Sequence, residues 1–144
     1  VNSDGFASIV NTTGNPDTHI VLRGGTKGPN FDNSHIKNIS KDLYKFNLPQ
    51  KVMIDCSHGN SRKNHNRQLD VLKDISKQLA ADNTSIIGVM LESNIEEGNQ
   101  PIPNNLDEIR PGVSVTDACI GWESTEAALR LFANSIQGKV SKSS

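Results

Sequence analysis

Three short apolar runs, each stopped by reactive polar residues, set the rhythm of this chain. His19–Leu22 runs into Arg23-Gly24-Gly25, Val52–Cys56 into Ser57-His58-Gly59-Asn60, and Ile86–Leu91 into Glu92-Ser93-Asn94. Nearly continuous aliphatic runs of this length suit strands buried on both faces of a parallel sheet. The polar residues then stand at the carboxyl ends of the strands, where α/β proteins build their sites.

Between these runs the apolar period changes from strand-like to helical. Ile36, Ile39, Leu43 and Phe46 predict an amphipathic helix over Ser34 to Lys45, capped by Asp32 or Ser34 and ended by Pro49. Leu69, Leu72, Ile75 and Leu79 predict a second helix from Asn64 to Ala81, with Arg67, Asp70, Lys73, Asp74 and Lys77 outside the buried stripe. Asp82-Asn83 breaks it. Ala128, Leu131, Phe132 and Ile136 predict the last helix, with Ser124 as its N-cap, Gly138 at its end, and Lys139 to Ser144 as a frayed tail. Phe6 to Val10 reads as an additional opening strand, closed by the turn cluster Thr13 to Asp17. Ser93 to Gly121 is long and irregular, as functional or disordered loops are, yet Val113 to Trp122 within it is too apolar for disorder.

The order is strand, strand-helix, strand-helix, strand-loop-helix. Three successive βα units predict an α/β fold with parallel strands and right-handed crossovers, in one segment over residues 1–144.

Composition narrows the partners. The chain has 144 residues and a formal net charge of -1, with acids and bases mixed throughout. It offers no basic stripe for nucleic acid and no polybasic segment for a membrane surface. Its apolar runs fall short of membrane-spanning length. The opening Val1-Asn2-Ser3-Asp4-Gly5 lacks both an initiating methionine and a charged-then-apolar leader. The two cysteines, Cys56 and Cys119, are far apart, a pattern of reducing compartments rather than of a disulfide framework. The expectation is a cytoplasmic protein with neither nucleic-acid nor membrane partners.

The strand ends carry the chemistry. Arg23 beside two glycines offers a bidentate fork for phosphate or carboxylate where a ligand can approach the backbone closely; the plainer alternative is a turn with a solvated arginine. His58, just past its strand, suits a metal ligand or a general acid/base, or a turn histidine bonded to backbone. Asp55 is its nearest carboxylate, either a partner to the imidazole or a second catalytic group. Glu92 ends an apolar strand and Asp117 lies in an apolar run. Burial there costs either carboxylate several kcal/mol unless it is paired, hydrogen-bonded or on a metal. His19, His35, His65 and Cys119 are weaker candidates. Considered together, His58, Glu92 and Asp117 at one end of adjacent strands describe a divalent-metal site suited to Mn, Fe, Co or Zn, with Arg23 one strand away for an anionic substrate.

Five segments carry a family resemblance: Asn11 to Asn15, HIVLRGG at 19–25, VMIDCSHGN at 52–60, GVMLESNIEEGN at 88–99 and VTDACIGWE at 115–123. In this order they resemble the C-terminal part of the 3-deoxy-D-arabino-heptulosonate 7-phosphate (DAHP) synthases of the microbial type inhibited by phenylalanine or tyrosine. The resemblance extends over essentially the whole chain. It implies the last three βα units of a (β/α)8 TIM barrel, preceded by one arm of a regulatory hairpin. It also implies condensation of phosphoenolpyruvate with erythrose 4-phosphate, the first step toward aromatic amino acids, with a divalent metal as cofactor. His58, Glu92 and Asp117 fall on three of the family's four metal ligands. Arg23 falls on an arginine that binds phosphoenolpyruvate, and His58 also lies close to that substrate. Val10 falls near the pocket for the phenylalanine or tyrosine effector.

Members of that family are more than twice this length. The cysteine metal ligand, the Lys-Pro-Arg segment for erythrose 4-phosphate and further basic residues lie in a part not matched here; neither Cys56 nor Cys119 corresponds to the ligand cysteine. The expectation is an incomplete barrel, inactive by itself, with open sheet edges that call for a homo-oligomer or a separate N-terminal half. Two other functions stay open: a related metal-dependent barrel enzyme acting on a different phosphosugar or keto-acid, and a non-catalytic fragment.

Overall fold

The computed structural model of the protein describes residues 1–140. Its centre is a parallel three-stranded sheet in the order β1 (Ile20–Leu22), β2 (Val52–Asp55), β3 (Ile86–Met90). Leu22 lies opposite Ile54, and Ile54 opposite Val89. The ladder slips once: Val52 pairs with Ile86 but Met53 with Gly88, so Ile87 is the extra residue of a bulge and is 51% exposed.

Helices α1 (Asn33–Lys45) and α2 (Gln68–Ala80) form the crossovers. Asp32 caps α1, accepting from the Ser34 and His35 N–H groups, and Asn47 closes it in the left-handed region at φ 56°. Ile36, Ser40 and Leu43, spaced four and three apart, are its buried residues. Phe46, expected to extend that stripe, is the C-cap residue and is exposed, because the helix turns away before it. A short 3-10 turn, His65–Arg67, leads into α2, whose buried residues are Gln68, Val71, Leu72, Ile75 and Ser76. Leu69 and Leu79 flank that face, partly buried. The last helix, α3 (Trp122–Val140), packs on α2.

One apolar core joins these elements. Val52, Ile54, Cys56, Ile36, Leu72 and Ile75 are its most enclosed members, with Leu22 from β1 and Ala128 from α3 beside them.

Four further expectations are revised. The sheet is buried on one face only: Leu22 and Ile54 are enclosed, whereas Val21 on the other face is 47% exposed and Met53 is half-buried. Phe6 to Val10 forms no strand, and Phe6, Ile9 and Val10 are exposed; among the described residues no strand pairs with this run. The last helix starts at Trp122, two residues before the expected cap, and passes through Gly138 to Val140. Leu131 and Ile136 stay exposed because α3 faces the core through Ala128 and Phe132. Of the expected tail, residues 141–144 lie outside the described residues.

The stretch after β3 is ordered without being regular. Bridges join Ser93 to Ile120, Gly98 to Cys119 and Asn99 to Ser114. The Gln100 side chain donates to the Arg110 and Val113 carbonyls and accepts from the Arg110 N–H. These bonds fold the loop back, so that Asp117 returns toward the end of β3.

Candidate functional site

The loops leaving β1 and β2 cross in close contact. A Cβ on Gly24 would stand 2.6 Å from the Gly59 carbonyl carbon and 2.7 Å from the Asn60 nitrogen, and Gly24 has φ +77°. Only glycine permits this approach. The buried Asn60 side chain fastens it, donating to the Leu22 and Asp55 carbonyls and accepting from the Asn30 N–H. The Asn30 side chain in turn accepts from the Gly24 N–H. Arg23 and His58 are thereby set on neighbouring loops.

His58 itself sits at φ +44°, an uncommon region for a side chain of its size. Two interactions hold it there. Its carbonyl accepts from the Lys63 N–H at 2.9 Å. Its Nδ1 lies 2.7 Å from Oδ2 of Asp55, the last residue of β2, which is 3% exposed. The other oxygen of Asp55 accepts from the Ser57 N–H at 2.8 Å. With the imidazole proton on Nδ1 donated to Asp55, Nε2 presents a lone pair outward.

That nitrogen faces two carboxylates. Glu92 Oε1 is 3.6 Å away and Asp117 Oδ2 is 3.9 Å away. Ligand atoms of His58, Glu92 and Asp117 all lie within 4.8 Å of one another. Ser57 Oγ donates to Glu92 Oε2 at 2.6 Å, leaving Oε1 toward the histidine. Asp117 is the most exposed of the three, at 73%. One imidazole nitrogen and two carboxylates, with the imidazole backed by a buried acid, form a donor set that fits a divalent ion.

A cavity of about 350 Å³ opens above this cluster. Arg23 and Lys63 line it together with Ser57, His58, Glu92 and Asp117. It therefore combines two cations with the acidic cluster, at a size suited to a small metabolite. Lys63 and its neighbour Arg62 are both left-handed, at φ 58° and 54°, within the tight turn that follows His58.

The sequence candidates thus divide. Arg23, His58, Glu92 and Asp117 meet at one cavity, with Asp55 buried behind His58. Val10 is exposed in the irregular segment before β1, outside the cavity lining. His35 is bound to Asp32, and His65 lies in the 3-10 turn. Lys63 and Gln68 go unrecognised in the sequence, and Ser57 and Asn60 read there only as part of the polar cluster that ends the second strand. Gln68 left one readable trace. It stands three, four and seven residues before Val71, Leu72 and Ile75, a polar residue in register with the buried stripe.

The two thiols differ. Burial, then the Asp55 charge, push the Cys56 thiol up to about 12. Burial also raises the Cys119 thiol, and the Glu92 and Asp117 charges add to that against a hydrogen bond with Ser114.

A sequence model of the DAHP synthetase I family matches residues 2–130. The tyrosine-inhibited phospho-2-dehydro-3-deoxyheptonate aldolase of Schizosaccharomyces pombe is 50% identical over 142 residues, covering 96% of this chain. The Phe-sensitive phospho-2-dehydro-3-deoxyheptonate aldolase of Escherichia coli is 47% identical over 135 residues, covering 94%. This chain spans 38% of the length of each. The solved structure of the corresponding aldolase from Francisella tularensis superposes with a TM-score of 0.82 at 45% identity, over 88% of this chain and 36% of that one.

Proposed function

The chain belongs to the DAHP synthetase I family, and we propose that it supplies the metal-binding and part of the phosphoenolpyruvate-binding end of a phospho-2-dehydro-3-deoxyheptonate aldolase. The reaction joins phosphoenolpyruvate and erythrose 4-phosphate, adds water and releases phosphate. The observation that carries this reading is the convergence of His58 Nε2, Glu92 and Asp117 beneath a cavity that Arg23 lines.

Each residue has a part that its surroundings support. Arg23 holds the anionic substrate through its planar fork. Asp55 keeps the His58 proton on Nδ1, so that Nε2 serves as a ligand and stays close to the substrate. Ser57 fixes one oxygen of Glu92 and frees the other. A divalent ion held by His58, Glu92 and Asp117 supplies Lewis acidity toward an aldehyde oxygen or a water; Mn, Fe, Co and Zn all suit this nitrogen and oxygen set.

The fold reading follows the same line. The parallel units β1-α1, β2-α2 and β3-α3 are the last three of a (β/α)8 barrel. The exposed Val21 face and the open edges of β1 and β3 are surfaces that the rest of such a barrel, or a second copy, would cover. Val10, on the exposed segment before β1, belongs to the surface for a phenylalanine or tyrosine effector.

The test is phosphate release from phosphoenolpyruvate plus erythrose 4-phosphate, with and without manganese, on chain of verified mass. A parallel calorimetric titration follows manganese binding. Manganese binding that Glu92→Gln weakens supports the site, and metal-dependent release supports the complete reaction. A folded chain indifferent to manganese at millimolar concentration overturns the reading.

A further inference from the structure

Gln68 is the first residue of α2 and is fully buried, at the head of a face that carries Val71, Leu72, Ile75 and Ser76. A primary amide there is costly unless its donors and acceptor are satisfied. Both ends of the amide meet the same residue. Gln68 Oε1 accepts from the Glu92 N–H at 2.7 Å, and Gln68 Nε2 donates to the Glu92 carbonyl at 3.1 Å. The side chain thus pairs with the Glu92 peptide groups as a neighbouring strand would.

Glu92 needs such a partner. It lies two residues past the end of β3, beyond the ladder that holds Met90 against Asp55. Its carbonyl also accepts from the Ile120 N–H at 3.0 Å. The residue that Gln68 grips on both sides is therefore bonded, through its carbonyl, to the segment that returns Asp117 to the site. Ser57 orients the Glu92 carboxylate, but a carboxylate can be aimed only from a fixed Cα.

We propose that Gln68 is a positioning residue for the metal site, setting the affinity of the His58–Glu92–Asp117 cluster by clamping the Glu92 backbone, which it does without touching a ligand atom or substrate. The proposal rests on the metal reading given above. Partners that orient metal ligands characteristically change affinity by about tenfold to a hundredfold when removed. A residue that only fills the core changes stability instead.

The experiment is a cobalt(II) titration of the 144-residue chain, read by visible absorption, alongside urea unfolding. Three proteins are compared: the native chain, Q68M and S76A. Methionine keeps the length and volume of glutamine without its hydrogen bonds. Ser76 is another buried polar residue of α2, donating to the Leu72 carbonyl far along the helix from Glu92. The expected result is cobalt binding at least about tenfold weaker in Q68M, with an altered absorption spectrum. S76A binds as the native chain does, although urea unfolds it earlier. Equal cobalt affinity and spectrum in folded Q68M and the native chain overturn the proposal and leave the metal site standing. Equal losses in Q68M and S76A overturn it as well, since stability alone would explain them. A native chain that binds no cobalt removes the metal reading, and this inference with it. If Q68M is unfolded by circular dichroism, Q68E is titrated, because it keeps the acceptor for the Glu92 N–H while replacing the donor to the Glu92 carbonyl with a carboxylate oxygen. Weakened binding in folded Q68E supports the clamp; collapse of both variants, unrelieved by cobalt, assigns Gln68 to core stability and overturns it.

Discussion

Buried Asp55 and half-buried His58 pair across a tight turn, Oδ2 to Nδ1 at 2.7 Å, and that pair turns the other imidazole nitrogen toward Glu92. The acid is 3% exposed and spends its second oxygen on the Ser57 N–H. Asp55→Asn keeps the shape but removes the charge that favours a proton on Nδ1. Manganese or cobalt affinity is expected to fall by about tenfold to a hundredfold, with circular dichroism unchanged. Native-like affinity in a folded Asp55→Asn chain would show that the imidazole needs no acidic partner.

The crossing at Gly24 and Gly59 makes a second prediction. Gly24→Ala puts a methyl group 2.6–2.8 Å from backbone atoms of Gly59 and Asn60, at φ +77°, where a side chain is already strained. Neither backbone can yield without breaking the Asn60 bonds. The expected loss is at least about 2 kcal/mol in urea unfolding. Gly25→Ala, next in sequence, meets no atom within 4 Å and is expected to stay within about 0.5 kcal/mol of the native chain. Equal effects at the two positions would contradict the close crossing.

The thiols separate by burial. At pH 8 the Cys56 thiol, pushed up to about 12, carries almost no thiolate and is enclosed. Iodoacetamide is expected to leave it unlabelled until urea is added. Cys119 is half-buried, and its thiol is also raised. It is expected to label in the folded protein, more slowly than free cysteine. Peptide mass mapping over time reads both rates, and early labelling of Cys56 would mean that the β2 end opens readily.

Acid acts on the cap of α1. Burial raises the Asp32 pKa, but hydrogen bonds from Ser34 and His35, with the His35 charge, outweigh it and hold the carboxyl down at about 2, against an ordinary 3.8. A depressed folded-state pKa gives stability that is complete above about pH 4 and is lost as the pH falls toward 2. The side chain is half exposed, so solvent screens the effect. Asp32→Ala is expected to cost about 1 kcal/mol at pH 7, the usual value for an N-cap. That difference from the native chain is expected to shrink between pH 4 and pH 2. A constant difference down to pH 2 would remove the cap's charge from the account.

The sequence by itself determined the three strands, the bounds of α1 to within a residue, and the placing of Arg23, His58 and Glu92 at strand ends. These features depend on local pattern: aliphatic runs, a helical period and polar residues that stop them. Tertiary structure decided what local pattern cannot carry. The Phe6 to Val10 run has strand composition but pairs with no strand among the described residues, so it stays exposed. Leu131 and Ile136 continue a helical stripe, yet only part of α3 reaches the core. Ile87 leaves the ladder because β2 and β3 slip by one residue, which neither strand records alone. The site depends most on such distant agreement. Asp117 comes back to His58 only because the long loop closes on Ile120, and Glu92 is held by an amide 24 residues earlier in the chain. A buried glutamine reads in sequence as a misplaced polar residue on an apolar face. Its purpose becomes visible only when the backbone it satisfies, left open past the end of β3, is folded against it.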